Sequence, residues 1–475
     1  MLIKHYFLEK IAHSSYMLAG KQTCAVIDPR RDIDVYINEA RELGVTITHI
    51  LETHLHADFI SGHMDLAART GASIYAPKSA NCKFEHVAVK EGDSIEIEDM
   101  KLDVLEAPGH TPEHIVYVVT DKSRGDSPTG VFVGDVLFVG DVGRPDLFPG
   151  IADDLAGKLF HSLHDKLLKL PDYCEVYPAH GAGSLCGRSM GAKWTSTIGY
   201  ERRYNPSLQI KNKAEFIQSL TSNMPPAPDH FSHCSDINRN GPVLLSKLPV
   251  LEELRPVDFL NKIQESDNVV LDVRNYAAFG GFHVPGSWHL DLKGNFPTFT
   301  GWVMPVDRDI LLVADSYQEA VAASLWARRV GVDRIVAYLN GGMTTWATDG
   351  YQVDHLHLIS TENLYRRITH GSQPLTLVDV RSPLEFADTH IKGAVNIPAP
   401  ELRTRYKELN RSHPVYLICS TGNRSSLAAS ILKQHGFKEV YNVAGGMTGY
   451  SAAGHIQLCN VCVNPHGPRL TTVSL

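Results

Sequence analysis

The chain has 475 residues, 43% of them hydrophobic, and a formal net charge of −8. That length and balance exclude a single small domain, a fibrous chain and a disordered one. No apolar run approaches the roughly 18 residues of a membrane helix, MLIKHYFLEK lacks the basic-then-apolar pattern of an export signal, and no basic cluster offers itself to phosphates; a cytoplasmic protein without membrane or nucleic-acid partners is expected.

From residue 1 to about 235, apolar runs such as TCAVI, ITHILE, KLDVLEAP, IVYVV and GVFVGDVLF read as strands, while DIDVYINEARELG and DDLAGKLFHSLHDKLLKLP have helical spacing. An α/β arrangement follows. The strand ends carry the polar residues: His54, His56 and Asp58 after ITHILE, His110 in PGHTPEH, Asp135 in GVFVGDVLFVGD and His180 in VYPAHG. Four separate strand ends bearing nitrogen or oxygen donors point to a metal site far more strongly than one His-x-His pair does. The proline cluster in TSNMPPAPDHF reads as the end of this unit or a linker.

Beyond it the sequence repeats itself. Residues 268–290 match 375–397 in strand, turn and His-x-x-Gly positions, and 330–346 match 435–450. Two copies of one small α/β domain are expected, at 250–352 and 358–455, followed by a tail at 456–475. In the second copy Cys419 lies between the apolar strand VYLI and a helical segment. The first copy offers Ala314 or Asp315 at the cysteine position and Glu319 or Ala320 where Arg424 stands, so it lacks this chemistry and is expected to act as a packing spacer. The 8 cysteines are scattered, which favours reduced thiols; only Cys459 and Cys462 form a CxxC pair. With His466 that pair leaves three readings open: a reduced tail, a redox or sulfur relay, or a metal site.

The donor pattern resembles the metallo-β-lactamase fold, an αββα sandwich, and within it the persulfide dioxygenase branch. The two-metal hydrolases of this fold have THxHxDH, whereas THLHADF puts Phe59 in place of the last histidine. The resemblance implies that His54, His110 and Asp135 hold one metal, with His56, Asp58 and His180 outside that set and orienting it by hydrogen bonds. Two imidazoles and a carboxylate suit a single Fe(II) per chain with positions open for substrate and O2; zinc in the same atoms would support only hydrolysis or Lewis-acid work. Arg144 is the first candidate to bind a carboxylate of the thiol carrier, ahead of Arg188, Arg202 and Arg203. Cys186, near Arg188, is either a sulfur relay at the mouth of the pocket or an inert lining residue.

CSTGNRS at 419–425 resembles the active loop of a rhodanese: four residues separate Cys419 from Arg424, one fewer than in a phosphate-cradling phosphatase loop. The helix start and Arg424 would favour the thiolate of Cys419, with Arg424 and Asn423 meeting substrate and Gly422 allowing the tight turn. Asp379 and Arg381 are expected to hold the domain together.

Taken whole, the chain resembles a persulfide dioxygenase–rhodanese fusion. That implies oxidation of a small persulfide, such as glutathione persulfide, by O2 to sulfite and thiol. It also implies sulfur transfer through Cys419 between persulfide or thiosulfate and sulfite or thiol. A homo-oligomer is expected. The alternatives are a zinc-dependent, glyoxalase II-like thioesterase fused to a sulfurtransferase, and a non-oxidising sulfur-delivery module.

Overall fold

The computed structural model describes residues 1–456 other than 189, 223, 225, 226 and 266. Cys459, Cys462 and His466 lie outside the described residues. None of the described helices is long and apolar enough to cross a membrane. The chain forms two compact units, one running from Met1 to Leu248 with Arg329–Gly331, the other taking the rest.

The first unit is built on two six-stranded sheets. One is ordered Leu2–Leu8, His13–Ala19, Thr23–Ile27, Thr46–Leu51, Ser73–Pro77, Val87–Val89; the other is ordered Ser196–Thr197, Glu175–Pro178, Gly130–Gly134, Ile115–Asp121, Met100–Glu106, Ser94–Ile97. Alternation along the strands makes the layers. In His13–Ala19, Tyr16 and Leu18 face the opposite sheet and pack with Leu102, Val104, Tyr117 and Phe132. Met17 and Ala19 face the other way, onto Tyr36 and Ala40 of helix Asp34–Leu43 and Leu66 of helix His63–Thr70. On the far side, Val116, Val118 and Val131 of the second sheet pack on Leu159 of helix Ala152–His161 and Phe216 of helix Lys213–Thr221. Strands buried on both faces explain why TCAVI and IVYVV read as continuous apolar runs.

Two sequence boundaries move. The run GVFVGDVLF is not one strand: Gly130–Gly134 ends where Gly134 turns to φ 51°, and a small hairpin of Leu137–Phe138 with Asp141–Val142 follows. A Cβ on Gly134 would come within 2.5 Å of His114 Nε2, so only glycine lets the chain turn there and present Asp135. The end expected at about 235 falls inside helix His230–Asn240. That helix belongs to the first unit because Asn238 stitches it to the ligand loop: its Nδ2 donates to the carbonyls of His56 and Phe59 (both 2.8 Å), and its Oδ1 accepts from the Ser61 N–H (2.9 Å).

The second unit contains two five-stranded sheets, all parallel. One runs Glu252–Leu254, Ile335–Leu339, Ile310–Val313, Val269–Asp272, Trp288–His289 and the other His357–Ile359, Val440–Val443, Val415–Ile418, Thr376–Asp379, Val395–Asn396, the same order twice. One apolar cluster continues through both repeats, from Leu271 and Leu312 to Val378 and Leu417. Helix Asn423–Gln434, which follows Cys419, is buried from Ser425 to Leu432, and its Ser430 hydroxyl accepts the His289 N–H of the first repeat at 3.1 Å. The first repeat is thus a wall against which the catalytic-type helix packs.

Candidate functional site

Strand Thr46–Leu51 ends at the loop carrying His54, and the other donors come from the loops beyond Met100–Glu106, Gly130–Gly134 and Glu175–Pro178. Ligand atoms of His54, His110 and Asp135 lie within 4.8 Å of one another, and all three side chains are buried. Asp135 Oδ2 is 3.3 Å from His110 Nε2 and 3.8 Å from His54 Nε2, yet neither nitrogen has a hydrogen-bond partner among the described residues. Ligands about 2.1 Å from a common ion are separated by about 3.0 to 3.4 Å, so these atoms converge as ligands do rather than pair as donors and acceptors.

The tautomers agree. His110 Nδ1 faces the Arg144 carbonyl at 2.8 Å; a carbonyl only accepts, so the proton sits on Nδ1 and the Nε2 lone pair is bare. Thr53 Oγ1 donates to Asp28 Oδ2 (2.9 Å) and is left to accept from His54 Nδ1–H (2.9 Å), which bares His54 Nε2 in the same way. Asp28 holds this arrangement at φ 50°, with the Thr53 N–H as a further donor at 2.8 Å. Burial drives the pKa of both imidazoles down, His54 furthest, so they stay neutral. Burial works against an ionised Asp135, but the charge and hydrogen bond of His180 outweigh it and hold its carboxyl well below the usual range. Neutral nitrogens beside an anionic oxygen, all buried, fit a divalent cation.

The residues expected to surround the ligands divide. His56 turns away, its Nε2 3.2 Å from Asp28 Oδ1, in a buried group with Glu52. Burial opposes its protonation, but Asp28 prevails and raises its pKa. His180 donates Nδ1–H to Asp135 (2.8 Å to Oδ1), while its Nε2 approaches Asp58 Oδ2 to 2.9 Å beside Cys186. Phe59 is buried, its ring 4.0 Å from that of His13 and 4.5 Å from that of His56.

Arg144 is not presented to a ligand. It is buried, and its Nε and NH2 groups grip the Asp146 carboxylate, each at 2.7 Å. Arg188 donates to the Ser219 carbonyl, Arg202 to the carbonyls of Leu168 and Leu170, and Arg203 is exposed. Cys186 does not sit in positive surroundings: burial, then Asp58 and Asp135, push its thiol well above the ordinary value. Sequence reasoning passed over His114, whose Nε2 accepts the Asp135 N–H at 3.0 Å and whose ring stacks on His54 at 4.6 Å, although PGHTPEH displays it. Asn238 carries no such signal, because its partners are about 180 residues away in sequence.

In the second repeat the chain turns at Gly422, φ 116°, so that the Gly422 N–H donates to Cys419 Sγ at 3.1 Å from the start of helix Asn423–Gln434. The Ser425 hydroxyl lies 3.3 Å from the same sulfur and 2.6 Å from Asn442 Oδ1, two acceptors for one hydrogen. Arg424 does not reach toward an incoming anion. Its NH1 and NH2 groups bind the Glu385 carboxylate at 2.7 and 2.8 Å, and NH2 also donates to Ser420 Oγ. The Gly422 N–H and the Ser425 hydroxyl are the groups that reach Cys419 Sγ, while Arg424 fastens the loop to Glu385. The first repeat borders it: a Cβ on Gly422 would lie 3.0 Å from the Tyr276 ring, and a Cβ on Gly294 would lie 3.2 Å from Asn423 Nδ2. Asp379 and Arg381 form the expected structural pair, with NH2 to Oδ2 at 2.7 Å.

The layers, the buried His/Asp donors and the cysteine loop define a metallo-β-lactamase-type metal domain fused to two rhodanese-like domains. Residues 9–180 match the metallo-beta-lactamase superfamily, and residues 256–349 and 360–453 each match the rhodanese-like domain. Mitochondrial persulfide dioxygenase ETHE1 of Mus musculus is 30% identical over 236 residues, 48% of this chain and 84% of that protein. Hydroxyacylglutathione hydrolase of Pseudomonas entomophila is 35% identical over 162 residues, 34% of this chain and 58% of the relative. The solved structure of a metallo-beta-lactamase from Staphylococcus aureus is 34% identical, covers 71% of this chain and 98% of its own, and superposes with a TM-score of 0.64. The chain belongs to the metallo-β-lactamase superfamily and is related there to the ETHE1-type persulfide dioxygenases.

Proposed function

We propose that the first unit oxidises a small persulfide with O2 to sulfite and thiol at a mononuclear Fe(II) held by His54, His110 and Asp135, and that the second transfers sulfane sulfur through Cys419. The observation that carries this reading is the convergence of two bare imidazole nitrogens and one carboxylate, without hydrogen bonds among them. Iron in that set would supply redox chemistry between persulfide sulfur and O2, which zinc lacks. The chain's own contribution is to fix tautomers through Arg144 O and the Asp28–Thr53 pair, keep the imidazoles neutral, and line the pocket with Phe59. The net reaction is RSSH + O2 + H2O giving RSH, sulfite and two protons.

At the second site the Cys419 thiolate attacks the outer sulfur of a persulfide; the sulfur–sulfur bond breaks and RS⁻ leaves. Sulfite then attacks the sulfur carried on Cys419 and departs as thiosulfate, restoring the thiolate. The Gly422 N–H and, when it turns from Asn442, the Ser425 hydroxyl stabilise that thiolate each time it forms.

Anaerobic reconstitution with Fe(II), followed by oxygen uptake with glutathione persulfide, tests the reading. One O2 consumed per sulfite formed is expected, abolished in Asp135→Ala and kept in Cys419→Ser. Thioester hydrolysis by the zinc form, with no persulfide oxidation after iron loading, would replace it with the hydrolase alternative.

A further inference from the structure

Three buried side chains in the second repeat form a chain that ends at the nucleophile. Cys419 is 1% exposed, and Ser425 and Asn442 are 0% exposed. Asn442 stands on strand Val440–Val443, and its amide spans the cysteine loop: Nδ2 donates to the Gly422 carbonyl at 3.0 Å, and Oδ1 lies 2.6 Å from Ser425 Oγ. A carbonyl only accepts, so the Gly422 bond fixes which end of the amide carries the hydrogens. The oxygen end faces Ser425, and the single hydroxyl hydrogen goes to Asn442. Ser425 Oγ, 3.3 Å from Cys419 Sγ, is then left with lone pairs toward the sulfur. Lone pairs accept from a thiol S–H and repel a thiolate. The two repeats differ here as a set. Leu417 pairs with Asn442 and Leu312 with Tyr338, so Tyr338 holds the Asn442 position, and with Ala314 at the Cys419 position Ser425 corresponds to Ala320. The copy without the cysteine has neither the hydroxyl nor the amide.

We propose that Asn442 is a positioning residue that sets how readily Cys419 ionises: it holds the Ser425 hydroxyl while the cysteine is a thiol and releases it to the sulfur when the thiolate forms. The role rests on the reading of Cys419 as the nucleophile of sulfur transfer. In the thiol state S–H, Oγ–H and Oδ1 stand in series, each donor facing an acceptor. On ionisation the thiol proton leaves to solvent, the hydroxyl rotates to donate to sulfur, and Asn442 Oδ1 gives up its partner in buried surroundings. The exchange costs one neutral hydrogen bond and gains a charge-assisted one. Once Sγ carries sulfane sulfur its charge is gone, and the hydroxyl returns to Asn442. The charged groups around the loop are paired, Arg424 with Glu385 and Arg381 with Asp379, and the first repeat contributes the Tyr276 ring near Gly422. Neutral replacements of Asn442 and Ser425 leave all of these in place.

The test uses the full-length protein and follows the pH dependence of iodoacetamide alkylation at Cys419 by peptide mass spectrometry, which reads the thiolate whether or not sulfur is transferred. Asn442→Leu should make the Cys419 thiol about 10-fold more acidic, because the hydroxyl then has no partner to leave. In Ser425→Ala protein the same replacement should leave the acidity unchanged or lower it, since only the bond to the Gly422 carbonyl is then lost. Folding is checked by circular dichroism, and Asn442→Ala takes the place of Asn442→Leu if the latter does not fold. Equal shifts in the two backgrounds, or no gain of acidity where Ser425 is present, would overturn the proposal and leave Asn442 as a support for Gly422 alone. The expected shifts in a protein that carries no sulfur from thiosulfate would overturn the sulfurtransferase reading while upholding the hydrogen-bond exchange.

Discussion

The two rhodanese-like repeats share a scaffold and differ in one loop. Strand register makes the match explicit: Asp272 pairs with Val313 and Asp379 with Ile418, so the next residues, Ala314 and Cys419, correspond, as do Glu319 and Arg424. The buried Asp–Arg pair appears in both copies with nearly the same geometry, NH2 to Oδ2 being 2.6 Å in Asp272–Arg274 and 2.7 Å in Asp379–Arg381. Around the sulfur the copies part. Gly422 is replaced by Tyr317, which simply begins helix Tyr317–Arg329, and the Glu385–Arg424 pair becomes Ala278 and Glu319. What the scaffold needs is kept twice; what the thiolate needs is kept once.

The largest effect should come from Cys419→Ser, lowering thiosulfate:thiol sulfur transfer at least about 1,000-fold, while Ala314→Cys in the first repeat gains none, both read by a transferase assay. Next, Arg381→Ala and Arg274→Ala should each cost about 3 to 5 kcal/mol in denaturant unfolding, because each strands a buried carboxylate; unequal losses would break the idea of a common scaffold. Glu385 follows. Burial raises its pKa, but the bond and charge of Arg424 prevail and pull it to about 2 from the usual 4.5. A carboxyl depressed on folding contributes fully above about pH 4.5 and loses that contribution as pH falls toward 2. Glu385→Gln should therefore cost about 3 kcal/mol at neutral pH and flatten the acid limb of the stability profile. The smallest effect is Gly422→Ala, about 1 to 2 kcal/mol with slower transfer, against less than about 0.5 kcal/mol for Tyr317→Ala, whose side chain is exposed.

The layered fold and the duplication were legible because they are written as periodicity and as repeated strand–turn patterns. The candidate ligands were legible because they cluster at strand ends. Pairings across the fold were not. Arg144 and Arg424 read as free cations, yet Asp146 and Glu385 take them; Asp146 stands two residues along the chain, but nothing in the local pattern of Arg424 names Glu385. His56, Asp58 and His180 read as one group because a sequence orders residues without distances; the fold sends His56 to Asp28 and the other two to Cys186.

Asn238 has a practical consequence for anyone dividing this chain. A cut at 235, where composition invites one, removes the amide that caps the carbonyls of His56 and Phe59, and each orphaned carbonyl costs about 1 to 3 kcal/mol. Metal affinity of such a fragment would fall through a loosened loop although every donor side chain were still present. A fragment reaching Leu248 keeps the clasp.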